Sequence, residues 1–87
     1  MANFIDPKLL GLPPQTKIEE INSNTLAMVI NRKSRIIMAD GRKILAKAAK
    51  IKEVKPGSRV LLKTTTPVCS KTVQFLKENG IEVVKEY

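Results

Sequence analysis

A chain of 87 residues with one cysteine, no histidine and eight carboxylates has few routes to covalent or metal chemistry. Histidine is the usual base near neutral pH and a common metal ligand, so carboxylates would have to fill both roles. The eight acids show no pair at acid–base or ligand spacing. Asp40, Thr64 and Lys71 could together hold a metal–phosphate, but the same residue types cap strand and helix ends. Cys69 falls near the start of a predicted helix, where the helix dipole and Lys71 would favour a thiolate. It also falls on that helix's apolar stripe with Thr72, Val73 and Leu76, which predicts a buried small hydrophobe slow to react in the native state. The expectation is a non-catalytic binding protein with no catalytic residue, metal or cofactor.

The cations carry the stronger signal. The net charge is +8, and the middle of the chain holds all of it: residues 32–63 contain eleven Lys or Arg against Asp40 and Glu53. Residues 1–31 carry −1 and residues 64–87 carry zero. Such asymmetry points to a polyanion, and the phosphate backbone of nucleic acid is the best-fitting partner. Arg32, Lys33, Arg35, Arg42, Lys43, Lys47 and Lys50 are the candidate contacts. With two Phe, one Tyr and no Trp, recognition by base stacking is disfavoured. A purely solvated basic face is the competing reading.

Two loops offer an alternative site. Asp40-Gly41-Arg42 and the Thr64–Lys71 stretch both lead from a predicted strand into a predicted helix, where free backbone N–H groups attract anions. Gly41, Thr64, Thr65, Thr66, Ser70 and Lys71 would be the donors of a phosphate- or nucleotide-like ligand module or a non-catalytic subunit. Arg42 and Lys43, placed in a first helical turn, would oppose the dipole until an anion bound. Neither loop matches the P-loop or the dinucleotide fingerprint. A tyrosine-phosphatase loop would need Arg six positions after Cys69, where Phe75 stands.

The elements that must position these residues follow from pattern. Residues 1–15 contain three of the five prolines and no usable period, and they predict an extended arm anchored by a few apolar side chains. Thr16–Ile21 and Thr25–Ile30 flank Asn22-Ser23-Asn24 as a β-hairpin. Arg35–Ala39 is apolar enough for a third strand. Asp40 then resembles an N-cap for a helix over Gly41–Val54, with Ile44, Leu45, Ala48, Ala49 and Ile51 on its apolar side. Asp40-Gly41 as a hairpin turn is the alternative, disfavoured by the helix-forming Leu45–Lys50. Pro56-Gly57 ends that helix, and Arg59–Lys63 is a buried strand. Thr66 and Pro67 start the second helix, Asn79-Gly80 ends it with Ile81 in a Schellman motif, and Ile81–Val84 is the last strand. The expected class is α/β or α+β: an N-terminal hairpin, then β-α-β-α-β, with a mixed, mainly parallel sheet.

Two segments resemble known families. Thr66-Pro-Val-Cys-Ser-Lys-Thr-Val-Gln-Phe-Leu76 resembles the redox segment of glutaredoxins, with Cys69 at the second cysteine and Thr66 where the nucleophile would stand. Residues 36–49 are similar to the strand–Gly-Arg–helix segment of Alba-type archaeal nucleic-acid-binding proteins. There Asp40 occupies a position that tends to be basic. The second resemblance implies a nucleic-acid partner.

One domain over residues 16–87 is expected, since a chain of this length supports a single core. Its aliphatic core is small, which favours a homodimer. The first eight residues lack a signal-peptide pattern, and no segment is long and apolar enough to cross a membrane. A cytoplasmic location follows by elimination.

Overall fold

The computed structural model describes residues 3–86, so Met1 and Ala2 of the expected arm, and Tyr87, lie outside the described residues. Five strands form one sheet in the order β1-β2-β3-β4-β5: β1 (Asn3–Ile5), β2 (Lys17–Asn22), β3 (Thr25–Ile30), β4 (Arg59–Thr64) and β5 (Glu82–Lys85). The first two neighbouring pairs are antiparallel and the last two are parallel. Helix α1 (Met38–Val54) connects β3 to β4, and α2 (Ser70–Glu78) connects β4 to β5. The mixed sheet with two helices is as expected. Two of its four strand pairings are parallel, so the mainly parallel description holds in part.

The hairpin forms where the turn residues placed it. Asn22 Oδ1 accepts the Asn24 N–H at 2.9 Å, the side-chain turn that Asn favours. Its second strand is also the first strand of the parallel unit. Arg35–Ala39 is therefore not a strand. Ile36 makes a single parallel bridge with Val68, and the helix has begun by Met38. Once β3 pairs with β4, a further full strand at 35–39 has no place in the sheet. The fifth strand comes instead from Asn3–Ile5, along the outer edge of β2.

Between β1 and β2, Pro7–Leu10 forms a short 3-10 helix capped by Asp6, whose Oδ1 accepts the Lys8 N–H at 3.0 Å. It ends at Gly11 with φ 71°, a conformation that glycine adopts without strain. Leu10 and Leu12 are thereby buried in the core.

That core is a single cluster. Strand side chains Ile18, Leu26, Met28, Val60 and Leu62 face Ile44, Ala48 and Ile51 of α1 and Leu76 of α2. Both helices therefore pack on the same face of the sheet. Gly41 lets them approach closely: a Cβ there would stand 2.9 Å from Thr72 Cγ2. Helix α2 ends as expected. The Ile81 N–H donates to the Leu76 carbonyl at 2.8 Å, the Gly80 N–H donates to that of Lys77 at 3.1 Å, and Gly80 has φ 80°. Its start differs, because Cys69, not Thr66, is the N-cap. No described helix is long and apolar enough to cross a membrane.

Candidate anion-binding cleft

The parallel strands β3 and β4 end side by side, and the two loops leaving them are tied together by threonines. Thr64 is fully buried and donates its hydroxyl to the Ile30 carbonyl at 2.5 Å. Thr66, only 1 % exposed, accepts the Arg32 N–H and donates to the Arg32 carbonyl, each at 2.8 Å. Thr65 donates both its N–H and its hydroxyl to Asn31 Oδ1, at 3.0 and 2.7 Å. Three of the four hydroxyls sought as anion donors, those of Thr64, Thr65 and Thr66, are thus engaged in joining the loops. The Gly41 N–H is likewise engaged, donating to the Ile37 carbonyl at 3.0 Å within α1. Ser70 and Lys71 are exposed at the start of α2.

The anchored loop positions Arg32. Its guanidinium donates to the carbonyls of Ser34 at 3.0 Å and Arg35 at 3.1 Å, and it meets Asp40 Oδ2 at 2.5 Å. The same Asp40 oxygen accepts the Ile37 N–H at 3.0 Å. Asp40 is therefore the third residue of α1 and reaches back to its first free N–H, instead of being the N-cap. The Arg32 guanidinium and the Ile37 N–H together hold the Asp40 carboxyl below its usual value of 3.8. This start also moves Arg42 and Lys43 out of the first turn. The unfavourable dipole interaction expected for them is correspondingly weak.

A cleft of about 490 Å³ opens between the N-terminal half of α1 and the adjoining ends of β2 and β3. Thr16, Lys17, Arg32, Asp40, Lys43 and Lys47 are among its lining residues. A second groove of about 530 Å³ continues along the same flank of α1, between Leu12-Pro13 and the side chains of Lys43, Lys47 and Lys50. Three of the seven candidate cations, Lys43, Lys47 and Lys50, thus share one flank, and Arg32 closes its end. Arg42 is turned about 100° from Lys43 by the helical repeat and projects elsewhere. Lys33 and Arg35 are exposed on the loop before α1. Sequence reasoning missed Lys17 and Thr16, because they fall in the acidic first third of the chain. Thr16 Oγ1 is buried beside the cleft without a hydrogen-bond partner.

Cys69 is partly exposed at the start of α2, which corrects the expectation that packing would bury it. The backbone N–H groups of Lys71 and then Thr72, at the start of α2, lower the thiol below its usual 9.0; Arg35 adds to the effect, and partial burial opposes it. Among the described residues no three His, Cys, Asp or Glu side chains cluster as a metal site.

No protein-family profile matches the chain, and neither does a curated protein sequence. Among solved structures, it is similar to a repair endonuclease from Pyrococcus abyssi, with a TM-score of 0.61 and 13% sequence identity. The similarity covers 79% of this chain but 30% of that one, so this protein corresponds to a part of the endonuclease. At this identity the likeness concerns the fold.

Proposed function

We propose that the protein binds the phosphate backbone of nucleic acid along one flank of α1, through Lys43, Lys47 and Lys50, with Lys17 and Arg32 at the cleft end. The observation that carries this reading is the alignment of the three lysines along two adjoining grooves. Residues 43 to 50 span about 10 Å of helix. Duplex DNA presents about six phosphate charges over that length. A backbone lying in these grooves would meet several ammonium groups at once. The fold shared with part of a repair endonuclease is compatible with this reading.

Salt dependence tests it. Each phosphate contact on duplex DNA contributes a slope of roughly −0.9 in log K against log salt. The double substitution Lys43→Gln and Lys47→Gln should flatten the slope by up to about two units. Lys77→Gln and Lys85→Gln should change it little. Absence of wild-type binding at low salt, or equal losses from both pairs, would refute the assignment.

A small anionic ligand is a second reading, supported by the unpartnered Thr16 hydroxyl and by a cleft volume in the small-molecule range. Thermal stabilisation by a nucleotide, with no binding of polynucleotide, would favour it.

A further inference from the structure

We propose that the open face of the sheet is a self-association surface, on which two copies of this chain stack sheet to sheet. Side chains alternate across a strand, so the register identifies the face opposite the helices. One row across that face reads Phe4, Glu19, Ala27, Leu61 and Glu82, and the next reads Lys17, Val29, Lys63 and Val84. No helix covers it, since α1 and α2 both pack into the core cluster on the other side. Phe4 is 60 % exposed there, and Val29, Leu61 and Val84 are partly exposed.

The charges on this face cancel. Lys63 meets Glu19 at 2.8 Å across β3 and Glu86 at 3.9 Å, and Arg59 meets Glu82 at 3.7 Å. Lys17, Arg59 and Lys63 balance Glu19, Glu82 and Glu86, so the entire net charge of +8 resides elsewhere. Two copies of a strongly basic chain repel one another wherever like charge meets. The open sheet face is the broad surface where they can meet without that cost. An acidic partner would instead be drawn to the flank of α1.

The area suits a modest dimer. The five strands together hold about 25 residues, which at about 3.3 Å rise and about 4.8 Å spacing give a face of roughly 400 Å². Pairing two such faces buries about 800 Å², the size of a weak, transient interface. Stacking would leave both α1 flanks outward. Lys17 and Val29, at the rim of the face, also line the cleft beside α1.

Sedimentation equilibrium of the full chain, up to about 0.5 mM at moderate salt, tests it, with a micromolar to submillimolar dimer constant expected for so small an interface. Leu61→Glu should weaken association at least tenfold, because each dimer would bury two uncompensated carboxylates, while Lys47→Gln should leave it unchanged. Circular dichroism reports whether Leu61→Glu folds. If it does not, Phe4→Glu, at a more exposed position, is read in its place. A wild type monomeric over the whole range would overturn the proposal, as would a folded variant that associates like the wild type.

Discussion

Replacing Thr66 by Val keeps the shape of a side chain that is 1 % exposed but removes a hydroxyl making two hydrogen bonds to the backbone of Arg32. Each such bond contributes about 0.5–1.5 kcal/mol net, and a buried group left unpaired costs about 1–3 kcal/mol. Arg32 is exposed, so water can reach its backbone in part and the lower figures apply. The expected loss is about 1–3 kcal/mol, a sizeable fraction of the roughly 5–15 kcal/mol that holds a small domain together. For a domain of this size it lowers Tm by roughly 4–8 °C per kcal/mol. Thr66→Ser retains the hydroxyl and should fall much less. Thermal melts followed by circular dichroism, at neutral pH and fixed salt, give both values. A Val variant within about 0.5 kcal/mol of the wild type would show that the threonine tie between the loops does not hold Arg32 in place.

Three further measurements probe the same framework. The depressed Asp40 carboxyl contributes stability above its unfolded value near 4, and the contribution is lost as pH falls through the folded value. Asp40→Asn should therefore be less stable by about 1 kcal/mol at pH 7, with the gap closing toward pH 2 in denaturant titrations. Gly41→Ala gains up to about 1 kcal/mol of helix propensity but sets a methyl 2.9 Å from Thr72 Cγ2, an overpacking cost of about 1–3 kcal/mol. Net destabilisation is expected, and adding Thr72→Ser, which deletes that methyl, should relieve it; an Ala variant more stable than the wild type would contradict the close helix contact. Cys69 should react with a thiol reagent in the native state, with the midpoint of its pH–rate profile below 9.0. Labelling that requires denaturant would contradict its exposure.

The elements with local signals were legible. The Asn-rich turn fixed the hairpin, and Asn79-Gly80-Ile81 fixed the end of α2, because these residues act on their own neighbours. The misread segments are those where distant partners decide. Ile36-Ile37-Met38-Ala39 suits a strand or a helix by composition, and the pairing of β3 with β4 settles the choice. Thr66-Pro67 has the residue types of a helix start, but the Thr66 hydroxyl is taken by Arg32, thirty-four positions earlier, and α2 starts later. The same limit applies to the site. Clustering of Lys43, Lys47 and Lys50 follows from helical spacing, whereas Lys17 and Thr16 reach the cleft only through the fold. Arg42 counts equally in any tally of charge, and the helical repeat turns it away.

The location of the binding surface is the central claim, and amide chemical-shift mapping during titration with a short DNA duplex tests it most directly. The account predicts the largest shifts at residues 43–50, at Leu12 and Pro13's neighbours and at Thr16 and Lys17, with Ala27, Leu61 and Lys77 nearly still. Shifts concentrated on Ser70–Val73 or on the open sheet face, with residues 43–50 unmoved, would contradict it.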